Sequence, residues 1–189
     1  MALTESLMID IGSPLPSFAL PEPGSGRMVS SETLTGKPVL VAFICNHCPF
    51  VLLIREALGA FGHDYQPRGL QLIAINANDA TAYPDDSPDK MAEFAAQSGF
   101  SFPYLYDESQ SAAKAFGAVC TPDFFLFAPD GTLFYRGRFD EARPGNQIKP
   151  DGRDLRNAAD ALLEGRPAPA LQQPSMGCNI KWKSADAGA

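Results

Sequence analysis

Residues 38–75 decide the fold of this chain: PVLVAFICNHCPFVLLIREALGAFGHDYQPRGLQLIAI. The apolar, β-branched run at 38–44 predicts a central strand that is buried on both faces. Apolar residues then recur every three or four positions over 49–65, which predicts an amphipathic helix. A second buried strand is predicted at 70–75. Strand, helix and strand in this order predict a right-handed crossover and a sheet that is at least partly parallel.

The remaining segments extend this unit into an α/β domain. Residues 13–26, rich in proline and glycine, predict a short edge strand and a turn that form an N-terminal extension. The other predicted elements are, in order, a polar loop at 76–88, a helix at 87–96, a strand at 104–106, a helix at 109–116, a hairpin with strands at 124–127 and 132–135, and a helix at 154–163. We therefore predict one domain at 1–165, followed by a proline-rich linker and C-terminal tail at 166–189.

Composition excludes several classes of function. The chain has 189 residues, 45% of them hydrophobic, which suits a single core. Its net charge of -7 argues against nucleic acid or an anionic membrane as a partner. No apolar run approaches the ~20 residues that a membrane span needs, and the first residues do not resemble a signal peptide. We expect a cytoplasmic protein that is a monomer or a homodimer.

The strongest chemical signal is the C-x-x-C motif Cys45-Asn46-His47-Cys48, where the first strand passes into the helix. Cys48 is predicted to be the N-cap residue, with Pro49 in the first turn. Unpaired N–H groups and the helix dipole lower the pKa of a thiol at this position. Two such thiols can close a disulfide after one has attacked a substrate, and this chemistry requires no cofactor. His47 is either a group that tunes the thiolate or an exposed turn residue.

A second constellation is Cys120-Thr121-Pro122, which directly precedes the predicted strand at 124–127. A proline that precedes a buried strand without interrupting it is a candidate for a cis peptide bond. Cys120 is expected to face the C-x-x-C motif. Cys178, in the Gly-Cys-Asn-Ile-Lys-Trp segment at 177–182, is a further thiol that a mobile tail would bring near. Both are possible auxiliary thiols, although a small buried thiol and an anchored tail residue are simpler interpretations.

With these motifs in view, the chain resembles the thioredoxin-like superfamily over roughly residues 13–164. The opening at 14–20, the Gly36-Lys37-Pro38 entry and the Pro129-Asp130-Gly131 turn resemble its redoxin and peroxiredoxin (AhpC/TSA) branch. The resemblance implies a central mixed sheet flanked by helices. It also implies that Thr121 and Pro122 dock an extended substrate chain. The expected partners are a protein or small-molecule disulfide or peroxide and a thiol reductant.

The resemblance leaves the choice of attacking cysteine open. Alignment with thioredoxin places Cys48, and not Cys45, at the position of the attacking thiol. In a peroxidase, Cys48-Pro49 would be peroxidatic, but Cys45 stands where peroxiredoxins have threonine or serine. An arginine for peroxide would have to come from Arg136 or Arg138. Thioredoxin also has a buried acid where this chain has Ala42, so another group must move the proton.

Three functions therefore remain in view. We predict a thiol/disulfide oxidoreductase that uses the Cys45/Cys48 pair, with a thiol peroxidase as the first alternative. The second alternative is a zinc or copper site built from His47 and up to four thiols, although no second C-x-x-C motif fixes its geometry. A non-enzymatic interaction module is disfavoured because both thiols are present at the helix start.

Overall fold

The computed structural model describes residues 3–184, and a five-stranded mixed sheet forms its centre. Strand β4 (Val39–Phe43) runs parallel to β5 (Gln71–Asn76) and antiparallel to β8 (Asp123–Phe127). The outer strands are β6 (Tyr104–Tyr106) and β9 (Leu133–Gly137), which gives the order β6-β5-β4-β8-β9. Every residue of β4 is buried, as expected for a strand covered on both faces. The predicted mixed sheet is confirmed.

Four helices cover the two faces of the sheet. Helices α1 (Pro49–Tyr65), α2 (Pro88–Gln97) and α4 (Arg153–Leu163) pack on one face, and α3 (Ser111–Phe116) packs on the other. Helix α3 begins two residues later than predicted because Gln110 adopts a left-handed conformation, with φ at 62°. None of the helices within residues 3–184 combines the length and the apolar character that a bilayer crossing requires.

Two small sheets involve the ends of the chain. The N-terminal extension forms a hairpin of β2 (Ala19–Pro21) and β3 (Met28–Ser30). Strands β1 (Leu3–Glu5), β10 (Met176–Asn179) and β7 (Cys120–Thr121) form an antiparallel sheet in the order β1-β10-β7. Sequence analysis placed neither β1 nor β10. The segment predicted to be a tail therefore contains a strand that reaches the Cys120-Thr121-Pro122 segment.

Candidate active site

The two cysteines of the C-x-x-C motif lie where β4 passes into α1. Cys48 is the N-cap residue of α1, and Pro49 occupies the first turn, as the sequence predicts. Each of the two thiols is the largest single influence that lowers or raises the pKa of the other. Both side chains are closed off from solvent, since Cys45 is 1% exposed and Cys48 is 0% exposed. The two thiols interact at the start of α1, and access to them requires movement of the groups that cover them.

Four donors surround the Cys48 sulfur and stabilise its charged form. The thiol of Cys45 contributes most, and the thiol and backbone N–H of Cys178 and the backbone N–H of Val51 add to it. Together they outweigh burial and lower the pKa of Cys48 to about 5. One acceptor opposes them, the Thr121 carbonyl oxygen at 3.1 Å, to which only the protonated thiol can donate. The four donors favour the Cys48 thiolate, and the Thr121 carbonyl oxygen favours the protonated thiol.

Cys45 has the opposite electrostatic environment. Its hydrogen bond to Cys48 raises the pKa of Cys45 well above the ordinary thiol value, and burial and the negative charge of Asp86 raise it further. The hydroxyl of Thr121 lies 3.3 Å from the Cys45 sulfur and partly offsets these effects. The pKa values of the two thiols are therefore shifted in opposite directions, which favours ionisation of Cys48 before Cys45.

His47 pairs with a carboxylate that sequence analysis did not identify. Its Nδ1 lies 2.8 Å from Oδ2 of Asp86, which comes from the 3₁₀ turn Pro84–Asp86 in the predicted polar loop. The nitrogen is poorly aligned with this oxygen for a hydrogen bond, and the two groups form an ion pair when the imidazole is protonated. Contact with Asp86 raises the pKa of His47, against burial and the positive charge of Lys181. The imidazole also stacks on Tyr83, with ring centroids 5.6 Å apart.

Asp86 is held as a buried anion. Its side chain is 0% exposed, and burial opposes its ionisation. The contact with His47, the Asn78 amide at 2.8 Å and the Asn46 N–H at 2.7 Å outweigh burial and lower the pKa of Asp86. The turn between the two cysteines is therefore tied to the loop after β5 by a buried charge.

Replacing Asp86 with asparagine is expected to lower the pKa of His47 toward 6.5, its ordinary value. NMR titration of the imidazole measures this shift, and Asp85→Asn is a matched control because Asp85 is exposed and pairs with Lys90. The ion pair stabilises the fold fully only below the unfolded histidine pKa and above the unfolded aspartate pKa. The loss of stability in D86N should thus be largest between about pH 4 and pH 6.5 and should shrink at higher pH. An unchanged histidine titration would contradict the assigned pair.

The Thr121-Pro122 peptide bond is cis, as the sequence suggests. Thr121 faces both cysteines, because its hydroxyl contacts Cys45 and its carbonyl oxygen contacts Cys48. The family resemblance assigns one edge of β7 to the substrate. In this protein β10 pairs with that edge, and Cys178 lies opposite Thr121. The predicted docking residues and the predicted redox pair are therefore brought together, with a strand of the same chain between them and solvent.

The two auxiliary thiols differ in their surroundings. Cys178 contacts the Cys48 sulfur with both its thiol and its N–H. Burial, followed by the hydrogen bond to Cys48, raises the pKa of Cys178 to about 12. The Cys120 sulfur instead points to the Pro122 carbonyl oxygen, 3.9 Å away, and burial raises its pKa above the ordinary value. Cys178 belongs to the thiol cluster, and Cys120 lies beside it as a buried thiol.

One group of side chains has donor atoms suited to a metal. The Cys45 sulfur, Nδ1 of His47 and a carboxylate oxygen of Asp86 lie within 4.8 Å of one another. Sulfur, nitrogen and oxygen donors of this kind fit Zn²⁺. The group differs from the predicted set, because Asp86 enters it and none of Cys48, Cys120 and Cys178 belongs to it.

The two arginines considered for peroxide binding are engaged elsewhere. The Arg136 guanidinium donates to the Gln172 amide oxygen at 2.8 Å, and Arg138 forms an ion pair with Asp154. Neither contact involves the thiol pair. Besides an arginine, a peroxidase site needs a hydroxyl donor. The Thr121 hydroxyl meets this need in part, because it contacts Cys45, the residue that replaces the threonine or serine of peroxiredoxins.

A second buried acid was also missed. Asp123, the first residue of β8, is fully buried beside the cis-proline and pairs in register with Phe43. Burial raises the pKa of Asp123 well above the ordinary value, and no hydrogen bond reaches its Oδ2 from residues 3–184. The position at which thioredoxin has its buried acid is Ala42 on β4, whereas the acid of this protein lies on the neighbouring strand β8. An acidic residue opening the apolar run at 124–127 was the available signal.

A mixed sheet flanked by helices, with paired thiols at a helix N-terminus opposite a cis-proline, defines a thioredoxin-like thiol protein. The AhpC/TSA family model matches residues 11–136, more than half of the chain. The chain therefore belongs to the AhpC/TSA family, as its resemblance to the peroxiredoxin branch predicted.

Individual relatives agree with this assignment. The crystal structure of an uncharacterized conserved protein from Geobacillus kaustophilus is 47% identical and has a TM-score of 0.95, with 98% of each chain covered. A Mycobacterium tuberculosis protein with a provisional peroxiredoxin name is 29% identical over 125 residues, 61% of this chain and 69% of that protein. A Chlorobium tepidum structure, provisionally named a thiol:disulfide interchange protein, has a TM-score of 0.65 and 23% identity, covering 82% and 99% of the two chains. At that identity the likeness shows the fold alone.

Proposed function

We propose that this protein is a thiol/disulfide oxidoreductase in which Cys48 attacks the substrate and Cys45 resolves the mixed disulfide. One observation carries the proposal: Cys48 is the N-cap residue of α1, and contacts with Cys45, Cys178 and the Val51 N–H lower its pKa to about 5, while the pKa of Cys45 is raised. The thiolate is the attacking species in disulfide exchange. This charge distribution favours Cys48 over Cys45, the choice that the sequence left open.

The two thiols of the motif account for the electrons that the substrate gains, and water exchanges the protons. The Cys48 thiolate attacks a substrate disulfide, forms a mixed disulfide and releases the first substrate thiolate, which takes a proton from water. Cys48 then carries no negative charge, so the main cause of the raised Cys45 pKa disappears. Cys45 loses its proton to water and attacks the Cys48 sulfur, releasing the second substrate thiol. The Cys45–Cys48 disulfide retains the oxidation equivalent until an external thiol reductant restores the pair.

Substrate access is the step that requires motion. Cys48 is fully buried, and β10 occupies the edge of β7 at which Thr121 and Pro122 would dock an extended disulfide substrate. Residues 176–179 must move away before a protein substrate pairs with that edge. Local opening of a short terminal strand costs less than global unfolding, which makes this segment the natural gate. The cytoplasmic location and the monomeric or homodimeric state stay predictions.

A variant with both neighbouring thiols replaced, Cys45→Ser with Cys178→Ser, is expected to trap the substrate on Cys48. Cys48 can still attack, but neither serine can displace the bound thiol. After addition of oxidised glutathione, peptide mass spectrometry should find one glutathione on Cys48, whereas Cys48→Ser should carry none on the motif. An adduct on Cys45 in the Cys48→Ser protein, formed at the wild-type rate, would reverse the assigned roles.

A thiol peroxidase is the second candidate, favoured by AhpC/TSA membership and by the Cys48-Pro49 helix start. The Cys48 thiolate would attack a peroxide oxygen, release water or an alcohol, and become a sulfenic acid that Cys45 condenses to a disulfide. This would be an antioxidant activity. The double variant also tests it: sulfenic acid trapped on Cys48 at low peroxide supports it, and an unmodified thiol with glutathione exchange intact excludes it.

Zinc binding by Cys45, His47 and Asp86 would be a function of a different class, favoured by the proximity of their donor atoms. Elemental analysis of the reduced protein, combined with thiol counting, tests it. Near-stoichiometric zinc that is lost in D86N but kept in D85N supports the site. Metal-free protein that takes up no added zinc rejects it.

A further inference from the structure

Strand β10 lies where a substrate strand would lie. It pairs antiparallel with β7, so that Cys178 is opposite Thr121 and Asn179 is opposite Cys120. On its other side β1 completes the sheet, with Leu3 opposite Cys178. An extended chain beside the cis-proline segment, with a cysteine that contacts the attacking sulfur, has the arrangement expected of a bound disulfide substrate. Here that chain belongs to the protein itself.

Gly177 permits this close approach. A Cβ atom at this position would overlap the Thr121 carbonyl oxygen, and it would lie 2.7 Å from the carbonyl carbon and 3.2 Å from Cδ of Pro122. A side chain of any size therefore conflicts with the backbone of β7. The glycine brings the two strands close together at the residue before Cys178, and Cys178 is thereby brought against Cys48.

The strand is anchored on both sides of Cys178. On the N-terminal side, the buried Ser175 hydroxyl donates to the Gly137 carbonyl oxygen at 2.6 Å. On the C-terminal side, the Ile180 N–H donates to the Val119 carbonyl oxygen at 2.9 Å, and the Ile180 side chain is buried in the core. The contact between Cys178 and Cys48 is thus a built feature of the fold and not the chance position of a loose end.

We propose that Cys178 is a third redox-active thiol, which the strand presents to Cys48 as a built-in substrate. The proposal rests on the proposed function, because Cys48 must first be oxidised. Once Cys48 holds a substrate thiol in a mixed disulfide, Cys178 loses its proton to water and attacks the Cys48 sulfur. The bond to the substrate breaks, the substrate leaves as a thiol, and a Cys48–Cys178 disulfide forms. The two electrons gained by the substrate come from Cys48 and Cys178.

Oxidation of Cys48 makes Cys178 a better nucleophile. Burial is the first cause of its raised pKa, and the hydrogen bond to Cys48 and the charge on Cys48 are the next two. These two causes vanish when Cys48 becomes a neutral disulfide, while Lys181 continues to favour the Cys178 thiolate. Burial still raises the pKa of Cys178 after Cys48 is oxidised. The pKa of Cys45 is raised mainly by Cys48 itself, so oxidation of Cys48 lowers the pKa of Cys45 more than that of Cys178.

The bridge has a consequence for access. A Cys48–Cys178 disulfide ties β10 to the start of α1 and keeps the edge of β7 covered, so no protein strand can dock there. Attack of Cys45 on the Cys48 sulfur would release Cys178 as a thiol and leave the Cys45–Cys48 disulfide, without a change in the total oxidation state. The Cys48–Cys178 disulfide therefore gives a closed oxidised form, and the Cys45–Cys48 disulfide gives an oxidised form in which β10 is free to open.

Three variants that all lack Cys45 test this proposal: Cys45→Ser alone, Cys45→Ser with Cys120→Ser, and Cys45→Ser with Cys178→Ser. Each is given one equivalent of oxidised glutathione and mapped by mass spectrometry after acid quenching. The first two variants should lose the glutathione adduct and yield a peptide linked through Cys48 and Cys178. The third should retain the adduct and release glutathione at least about tenfold more slowly than the first two. In those two, the adjacent Cys178 thiol acts on the adduct at high effective concentration.

The outcomes separate this proposal from the proposed function. Equal persistence of the adduct on Cys48 in all three variants would overturn the role of Cys178 and leave Cys48 as the attacking thiol. A Cys48–Cys120 linkage would overturn it as well. Absence of an adduct and of a linked peptide in every variant would defeat the proposed function itself. If the Cys178 variant unfolds, the linked peptide in Cys45→Ser, which retains the native strand, decides alone.

Discussion

Replacing Cys48 with serine is expected to lower turnover of disulfide substrates by at least about a thousandfold, the scale on which removal of a covalent nucleophile acts in other enzymes. Serine is not ionised at neutral pH, so the helix start and the Cys45 and Cys178 donors have no anion to stabilise. Cys45 does not replace it, because burial and the charge of Asp86 still raise the pKa of Cys45. The steady-state rate of insulin or oxidised glutathione reduction with excess dithiol is the measurement.

The matched control for this variant is Cys120→Ser. Cys120 is also fully buried, but within residues 3–184 the hydrogen bond of its sulfur goes to the Pro122 carbonyl oxygen and not to Cys48. Its replacement should keep turnover within about twofold of wild type if the fold is retained. Turnover that survives in Cys48→Ser and falls in Cys120→Ser would show that the reacting thiol has been misplaced.

Replacing Gly177 with alanine is expected to expose Cys48 to reagents about thirtyfold more often. The added methyl group overlaps the Thr121 carbonyl oxygen, so β10 must separate from β7 to accommodate it. An overpacking cost of about 2 kcal/mol, applied to the closed state, raises the open population by that factor. The rate of iodoacetamide reaction with Cys48, followed by peptide mapping at constant pH, measures the change.

Gly24→Ala serves as the comparison, because a Cβ there meets only the Ala92 Cβ at 3.8 Å, an ordinary contact. It should leave Cys48 as protected as in the wild type. Hydrogen exchange of β7 adds a second measurement, since Thr121 loses the pairing with Cys178 when the strand separates. Protection of Cys48 that is equal in both variants would mean that β10 does not control access to the thiol.

Much of the fold was predictable because it is encoded locally. The apolar run of β4 and the three- and four-residue spacing of α1 predicted the central unit, and Pro49 marked where the helix starts. The same local features placed Cys48 at the N-cap and identified Pro122 as a candidate cis residue. The terminal strands were missed because β1 and β10 are short and lack a periodic pattern of their own. Their partners lie more than fifty residues away in the chain, at a register that no local signal specifies.

The sequence by itself determined that two thiols lie at a helix N-terminus, since neighbouring residues fix that arrangement. That the Thr121-Pro122 segment lies beside them was implied by the family resemblance and not by a local pattern. Only the tertiary structure showed that the pKa values of the two thiols shift in opposite directions, because Cys178 and Asp86, which are distant in the chain, add to the mutual effect of Cys45 and Cys48. It also decided that a strand of the same chain covers the docking edge. Pairing and electrostatic energies depend on distances in space, and a local sequence pattern does not contain those distances.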